Sequence, residues 1–151
     1  MQSLYRLDQN RDTQSAAVYE FVAEHLHDKP LIDFAKTLID GVQTHREEID
    51  ALLGQSAQNW SIKRMAPVDR NILRIAIFEM EFELQTPPKV AINEALEIAK
   101  RFSSVDSSRF INGILDRVVN RQRTMPHASH SLNGDRGLGS DSISPIEESE
   151  T

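Results

Sequence analysis

WSIKRMAPVDRNILRIAIFEM, residues 60–80, contains the helix on which the predicted fold is built. Over residues 68–84, apolar side chains cover most of the circumference of the predicted helix: Ile72, Leu73, Ile75, Ala76, Ile77, Phe78, Met80 and Phe82. A helix that is apolar on nearly every side must be surrounded by other elements. Its one compact polar stripe consists of Arg70, Arg74 and Glu81, which fall within roughly 40° of each other at 100° per residue. The stretch therefore predicts a central helix with a single polar edge.

Segments on both sides of this helix predict a bundle of amphipathic helices, because their apolar residues recur at spacings of three and four. The breaks between helices are predicted at residues 10–13, 28–30, 54–59, 65–67, 86–88 and 103–106. The helices that follow the central one are predicted over residues 89–102 and 107–121. No segment alternates Val, Ile and Thr as a strand would. We therefore predict an all-α, single-domain bundle of about six to seven helices over residues 1–123.

The sequence changes character at Thr124, where Ser, Gly, Pro and acidic residues replace the aliphatic ones. Such a segment cannot bury enough apolar surface to offset the entropy of ordering, so residues 124–151 are predicted to be a disordered acidic tail. The net charge is −5 for residues 1–59, +3 for residues 60–123 and −4 for residues 124–151. Any contact with phosphates must therefore come from a local basic patch in the middle of the chain.

Several classes of protein do not fit these residues. Glu79, Glu81 and Glu83 are spaced by two, so on a helix they point in different directions and cannot form a catalytic carboxylate pair. His127 and His130 have no further metal ligands near them, and the chain contains no cysteine and no Gly-rich phosphate loop. No apolar run approaches the roughly 20 residues that span a bilayer. We expect a cytoplasmic protein that is not an enzyme and needs neither cofactor nor metal.

Three blocks of sequence stand in one order along the chain: WSIKRMAPVDRNILRIAIFEM, then PPKVAINEALEIAKRF at residues 87–102, then SSRFINGILDRV at residues 107–118. Together they resemble the NusB family, the RNA-binding antitermination factors of bacteria. The resemblance implies a helical protein that binds boxA-type single-stranded RNA together with NusE, a small-subunit ribosomal protein. Such a factor joins the transcription elongation complex and helps RNA polymerase read through terminators in ribosomal RNA operons. The resemblance is also compatible with a homodimer.

The resemblance implies five RNA-binding residues: Arg74, Phe110, Arg70, Asp106 and Arg109. Arg74 ranks first because it falls on the family's Leu-Arg dipeptide, although Arg74 and Arg70 also fit a solvated helix face. Phe110 either stacks on unpaired bases or packs in the core of the last helix. Asp106 either tunes RNA binding by repelling phosphates or caps the N-terminus of that helix, and both roles are compatible.

Two further residues are implied to face the ribosomal partner. Tyr5 falls on the family's Leu-Tyr dipeptide, and Asp69 stands one residue ahead of the first basic residue of the central helix. By themselves, the two residues equally fit a partly buried tyrosine and a first-turn acid that complements the helix dipole.

The start of the chain departs from the family pattern. Family members carry an arginine-rich segment ahead of the Leu-Tyr dipeptide, whereas here Met1 already falls within the first helix. We therefore expect Met1 to be an internal methionine and the first helix to begin upstream of it.

Two other functions are compatible with helical sequence of this kind. One is an interaction-only module that keeps the protein partner but has lost RNA binding. The other is the detached N-terminal RNA-binding domain of a ribosomal RNA cytosine methyltransferase. No βα unit for a methyltransferase cofactor follows the helices, which counts against the second function.

Overall fold

The computed structural model of the chain describes residues 1–10, 15–58, 60–83 and 85–124, without the side chain of Gln122. These residues form seven α-helices and no strand, with a short 3₁₀ helix at Ile62–Arg64. The α-helices are α1 (Gln2–Gln9), α2 (Ser15–His25), α3 (Lys29–Thr44), α4 (Arg46–Ser56), α5 (Pro67–Glu81), α6 (Pro88–Phe102) and α7 (Val105–Thr124). The predicted all-α fold is confirmed. The predicted tail lies outside the described residues, except that Thr124 belongs to α7.

Helix α5 lies at the centre of the bundle, as its apolar circumference predicts. It packs against α1, α3, α4, α6 and α7, and Ile72, Leu73 and Ile77 are almost completely buried. The helix ends at Glu81 rather than at Leu84, the predicted last residue, which lies outside the described residues. None of the helices in the described part of the chain is long and apolar enough to cross a membrane.

One break between helices was not among the predicted ones. Helix α3 ends at Thr44 and α4 begins at Arg46, so the chain turns at His45, whose φ and ψ are −100° and 17°. The His45 ring stacks on the ring of Phe82, with centroids 4.1 Å apart and planes inclined by 19°. No proline or glycine marks this position. A contact with a residue 37 positions away stabilises the turn, and local sequence patterns do not report such contacts.

The crossing of α3 over α5 depends on Gly41. A Cβ atom at this position would lie 2.0 to 2.6 Å from ring atoms of Phe78. The Phe78 ring has little room to move, because it is buried and stacks against Phe82 with an interplanar angle of 14°. The glycine therefore serves close approach of the two helices, since no glycine among the described residues has a positive φ.

We predict that Gly41→Ala destabilises the fold, although alanine is the better helix former. The steric conflict with Phe78 should cost about 1–3 kcal/mol, which outweighs a gain in helix propensity of about 1 kcal/mol. The matched control is Gly113→Ala in α7, where a Cβ would meet no atom within 4 Å and should stabilise the protein. Urea denaturation of both variants measures the difference. Equal stabilisation by both substitutions would contradict the close-packed crossing.

Candidate nucleic-acid interface

The polar residues of α5 meet a buried carboxylate at the end of α1. Arg70 donates from Nε to Asp8 Oδ2 at 2.9 Å, and its Nη2 also contacts this oxygen. Arg74 donates from Nη1 to Asp8 Oδ1 at 3.1 Å, and Arg46 of α4 reaches the same oxygen at 2.8 Å. Arg74 also binds both carboxylate oxygens of Asp50, at 2.8 and 2.9 Å. One cluster of three arginines and two aspartates thus joins α1, α4 and α5.

Each arginine of this cluster has an aspartate as its counter-charge. Burial by itself would raise the pKa of Asp8, but hydrogen bonds from Arg70 and Arg74 outweigh it and hold that pKa below its ordinary value. Burial would likewise lower the pKa of Arg74, and the bonds to Asp50 and Asp8 raise it instead. Asp8 and Arg74 are therefore both charged at neutral pH. The cluster holds the first helix onto the centre of the bundle.

This geometry corrects the predicted exposure of Arg74 and Arg70. Arg74 is only 3% exposed, so it does not lie on a solvated face. Arg70 is also mostly buried, and it donates to the carbonyl oxygen of Ile62 at 3.2 Å as well as to Asp8. The donors of both guanidinium groups are used inside the protein. Arg74 and Arg70 therefore direct their donors at Asp8, Asp50 and Ile62 rather than at solvent.

Asp69 is likewise less accessible than predicted. It is 6% exposed and accepts a hydrogen bond from Ser103 Oγ at 2.7 Å, which ties the start of α5 to the end of α6. Tyr5 is exposed and lines an open groove of about 510 Å³, together with Phe21, Val68 and Phe102. The two residues predicted to face a partner therefore differ. Tyr5 is exposed in the groove, whereas Asp69 is buried and joins α5 to the end of α6.

The N-terminus of α7 is capped by Ser104 rather than by Asp106. The Oγ of Ser104 accepts a hydrogen bond from the backbone N–H of Ser107 at 3.1 Å, as an N-cap side chain does. Asp106 stands in the first turn of the helix and is exposed. The predicted capping role of Asp106 is therefore wrong, because the helix begins two residues earlier than expected. Its carboxylate is left facing solvent near the start of α7.

Two aromatic residues meet beside α7. The ring of Trp60 approaches Phe110 edge-on, with centroids 5.7 Å apart and an interplanar angle of 70°. Trp60 is 56% exposed, whereas Phe110 is partly buried against the core. The backbone turns sharply just before Trp60, because Gln58 adopts a positive φ of 50° and the Trp60 N–H bonds to the carbonyl of Ala57 at 3.1 Å. Phe110 thus packs against the core as one of its two predicted roles requires, while its stacking on RNA bases stays a prediction.

A shallow pocket of about 250 Å³ lies beside this aromatic pair. Arg109 and Arg117 of α7 line it on either side of Gly113, whose missing side chain leaves it open. Both arginines are exposed, and Arg117 donates to the carbonyl oxygen of Ser56 at 3.2 Å. Among the residues that the structure describes, no carboxylate forms a salt bridge with either arginine. We call Trp60, Arg109, Phe110, Gly113 and Arg117 the aromatic–arginine surface.

Two members of this surface were not among the predicted site residues. Trp60 is the one tryptophan of the chain and directly follows the break predicted at residues 54–59. Arg117 follows Arg109 by eight residues, so with Gly113 between them they share one helix face. These two signals could have been used. In the described residues, no group of three His, Asp or Glu side chains is arranged to hold a metal ion.

Comparison with known proteins identifies the family of this chain. Residues 1–120 match the model of the NusB family. The transcription antitermination protein NusB of Myxococcus xanthus is 43% identical over 123 residues, which cover 79% of this chain and 88% of that protein. The chain belongs to the NusB family. The NusB protein of Desulfitobacterium hafniense is similarly related, at 44% identity over 121 residues that cover 79% of this chain and 82% of that protein.

Solved structures of NusB proteins share the fold. T. maritima NusB superimposes with a TM-score of 0.70 at 36% identity, covering 79% of this chain and 84% of that one. A chain from a crystal structure of antitermination factors NusB and NusE in complex with double-stranded RNA gives a TM-score of 0.72 at 28% identity. That match covers 79% of this chain and 89% of the other. The bundle around α5 is therefore a NusB fold.

In this member of the NusB family, we predict that the Asp8 cluster contributes to stability. Asp8→Asn should lower the free energy of unfolding at pH 7 by about 3–5 kcal/mol, because it leaves the mostly buried Arg70 without a counter-charge and Arg74 with Asp50 alone. The control is Asp33→Asn, which breaks an exposed pair with Lys29 and should cost under about 1 kcal/mol. Urea denaturation provides both values.

The cost of Asp8→Asn should also depend on pH. Because the folded-state pKa of Asp8 is lowered, its contribution is present above the ordinary value of 3.8 and is lost as pH falls through the folded pKa. If Asp8→Asn lowers the free energy of unfolding at pH 7 no more than Asp33→Asn does, the Asp8 cluster does not contribute to stability.

Proposed function

We propose that this chain is a transcription antitermination factor that binds boxA-type RNA of ribosomal RNA operons together with the ribosomal protein NusE. It acts as a binding component of the transcription elongation complex in the cytoplasm and catalyses no reaction. Its relatives described as transcription antitermination protein NusB, at 37 to 44% identity, support this proposal. The structural similarity to a NusB chain in complex with NusE and RNA supports it further.

The observation that carries the proposal is the aromatic–arginine surface. Trp60 is exposed on the surface, and Phe110 meets it edge-on at 5.7 Å. Aromatic faces stack on unpaired bases with about 1–3 kcal/mol per base. The adjoining pocket of about 250 Å³ is smaller than the roughly 300–1,000 Å³ typical of sites for drug-sized ligands. A pocket of this size suits a single base that projects from an unpaired strand.

The charged residues of α7 complement the aromatic pair. Arg109 and Arg117 are exposed and free of carboxylate partners within the described residues, so they are available to phosphates. Each phosphate contact adds to affinity through release of counterions and makes binding depend on salt. Asp106 stands one turn ahead of Arg109 with its carboxylate in solvent, so it repels phosphates and moderates the attraction. The arginines that attract phosphates and the aspartate that weakens this attraction thus lie on the same helix, α7.

We place the NusE contact at the groove beside Tyr5. The groove is lined mainly by apolar side chains, among them Tyr5, Phe21 and Phe102, on α1, α2 and α6. An apolar groove on an exposed surface suits an apolar segment of a protein partner better than a nucleic acid. Asp69 acts beneath this groove, through its hydrogen bond with Ser103 rather than by touching the partner. RNA and NusE therefore contact different faces of the bundle.

We predict that Phe110→Ala and Trp60→Ala each weaken binding of a single-stranded boxA-type oligonucleotide by roughly 5- to 150-fold, the loss expected from one stacked base. Their effect should change little with salt concentration. The matched control is Phe34→Ala, because Phe34 is also exposed but lies on α3. Fluorescence anisotropy with NusE present provides the affinities, and a double-stranded oligonucleotide of the same sequence tests the preference for unpaired bases.

Substitutions of charged residues give a second prediction, which the same anisotropy measurements test. Arg109→Ala should weaken binding and reduce the salt slope by about one, whereas Arg101→Ala on α6 should leave both unchanged. Asp106→Asn should strengthen binding without altering stability, because Ser104 caps the helix. If the Trp60 and Phe110 variants bind like Phe34→Ala, the RNA does not contact this surface. If the parent chain binds no RNA with NusE at low salt, the antitermination proposal fails and an interaction-only module replaces it.

A further inference from the structure

Helix α7 carries a series of arginines that extends beyond the aromatic–arginine surface. Along it stand Arg109, Arg117, Arg121 and Arg123. Arg109, Arg117 and Arg123 are exposed, and Arg121 is partly exposed. None of the four forms a salt bridge with a carboxylate of the described residues. The helix therefore presents a row of cations that an anion other than RNA can also bind.

The sequence that follows α7 contains an anion of suitable composition. Residues 141–150, which we call the acidic segment, read DSISPIEESE and carry four acidic side chains and no lysine or arginine. Between its acids stand Ile143 and Ile146, whose side chains can contact an exposed aromatic ring. Acids placed on both sides of two apolar residues match the chemistry of the aromatic–arginine surface, in which Arg109 and Arg117 lie beside Trp60 and Phe110.

The acidic segment is joined to α7 by a connection of suitable length. Arg109 and Thr124 are 15 residues apart on one helix, a distance of about 22 Å at 1.5 Å per residue. Thr124 and the centre of the acidic segment are separated by roughly 20 residues rich in Ser and Gly. Gly/Ser-rich linkers of about 20 residues have in general a root-mean-square end-to-end distance of about 25 Å. Because the two distances agree, the segment's effective concentration at Arg109 is expected to be near its maximum, in the millimolar range.

We propose that the acidic segment docks on the aromatic–arginine surface and competes there with RNA. Its glutamates pair with Arg109 and Arg117, and its isoleucines cover part of Trp60. This inference rests on the proposed function, since it assigns a regulator to the surface that binds RNA. RNA of any sequence must displace the segment, and RNA of the right sequence does so at lower concentration because it adds stacked bases. The segment thus lowers the apparent affinity of the surface for RNA in general.

The first test needs no RNA, because Trp60 is the one tryptophan of the chain and lies on the surface in question. Acrylamide is a neutral quencher, so its access to Trp60 depends on whether the ring is covered and not on the charges around it. The full chain is compared with a variant of equal length that carries Glu147→Gln, Glu148→Gln and Glu150→Gln. Quenching of Trp60 should increase in this variant. The increase should vanish at 1 M salt, where the screening length is about 3 Å.

The second test measures affinity for RNA in the presence of NusE. The same triple variant should bind a nonspecific single-stranded oligonucleotide roughly 3- to 10-fold more tightly, the size expected when two or three weak exposed ion pairs no longer compete. A boxA-type oligonucleotide should gain by a similar factor, because the same competitor is removed. The matched control neutralises three exposed acids of α2 and the turn after it, with Glu20→Gln, Glu24→Gln and Asp28→Asn. This control changes net charge equally and should leave both affinities and Trp60 quenching unchanged.

The outcomes separate the two proposals. Equal gains in RNA affinity by both triple variants would overturn docking, because a general charge effect would explain them. Unchanged quenching and unchanged affinity in the tail variant, with RNA binding intact, would overturn docking as well. Increased quenching in a chain that binds no RNA in any form would support docking and would overturn the RNA-binding function. Increased quenching together with tighter nonspecific binding, seen in the tail variant alone, would support both.

Discussion

The pairing of Asp8 with Arg70 and Arg74 is the interaction on which this structure most depends. Helix α5 is surrounded by five other helices, yet it carries two arginines, and a buried guanidinium group without a counter-charge is strongly destabilising. Asp8 supplies that counter-charge from α1, and Asp50 supplies more from α4. The short first helix is held in place by the same bonds. The salt bridges that neutralise the arginines of α5 are therefore the same ones that attach α1 to the bundle.

This constraint also determines which arginines remain available for RNA. Those of α5 are used internally, whereas Arg109 and Arg117 of α7 face solvent beside Trp60 and Phe110. The bundle thus divides its basic residues between internal support and the proposed RNA-binding surface, although both sets belong to the basic middle third of the chain. An acidic net charge of −6 is compatible with RNA binding because phosphates respond to the local patch.

Much of the fold followed from the sequence, since hydrophobic periodicity reports burial directly. It predicted the central helix, the other helices and the absence of strands, and Arg109 and Phe110 do lie together on an accessible helix. Hydrophobic periodicity does not report pairings between residues that are far apart in the sequence. Arg74 looked like a surface residue because its partners Asp8 and Asp50 stand 66 and 24 residues away. The turn at His45 and the hydrogen bond between Ser103 and Asp69 were not predicted for the same reason, because both involve contacts between residues far apart in the sequence.

The division between supporting and binding arginines is tested most directly by one nuclear magnetic resonance titration. RNA of boxA type is added to the isotope-labelled chain with NusE, and the side-chain N–H signals of arginine and tryptophan are followed. The Nε–H signals of Arg70 and Arg74 should stay in place, while the indole N–H of Trp60 and the Nε–H of Arg109 shift. If the Arg74 signal moves with RNA concentration while those of Trp60 and Arg109 do not, RNA binds at α5, and the assignment of the two arginine sets is wrong.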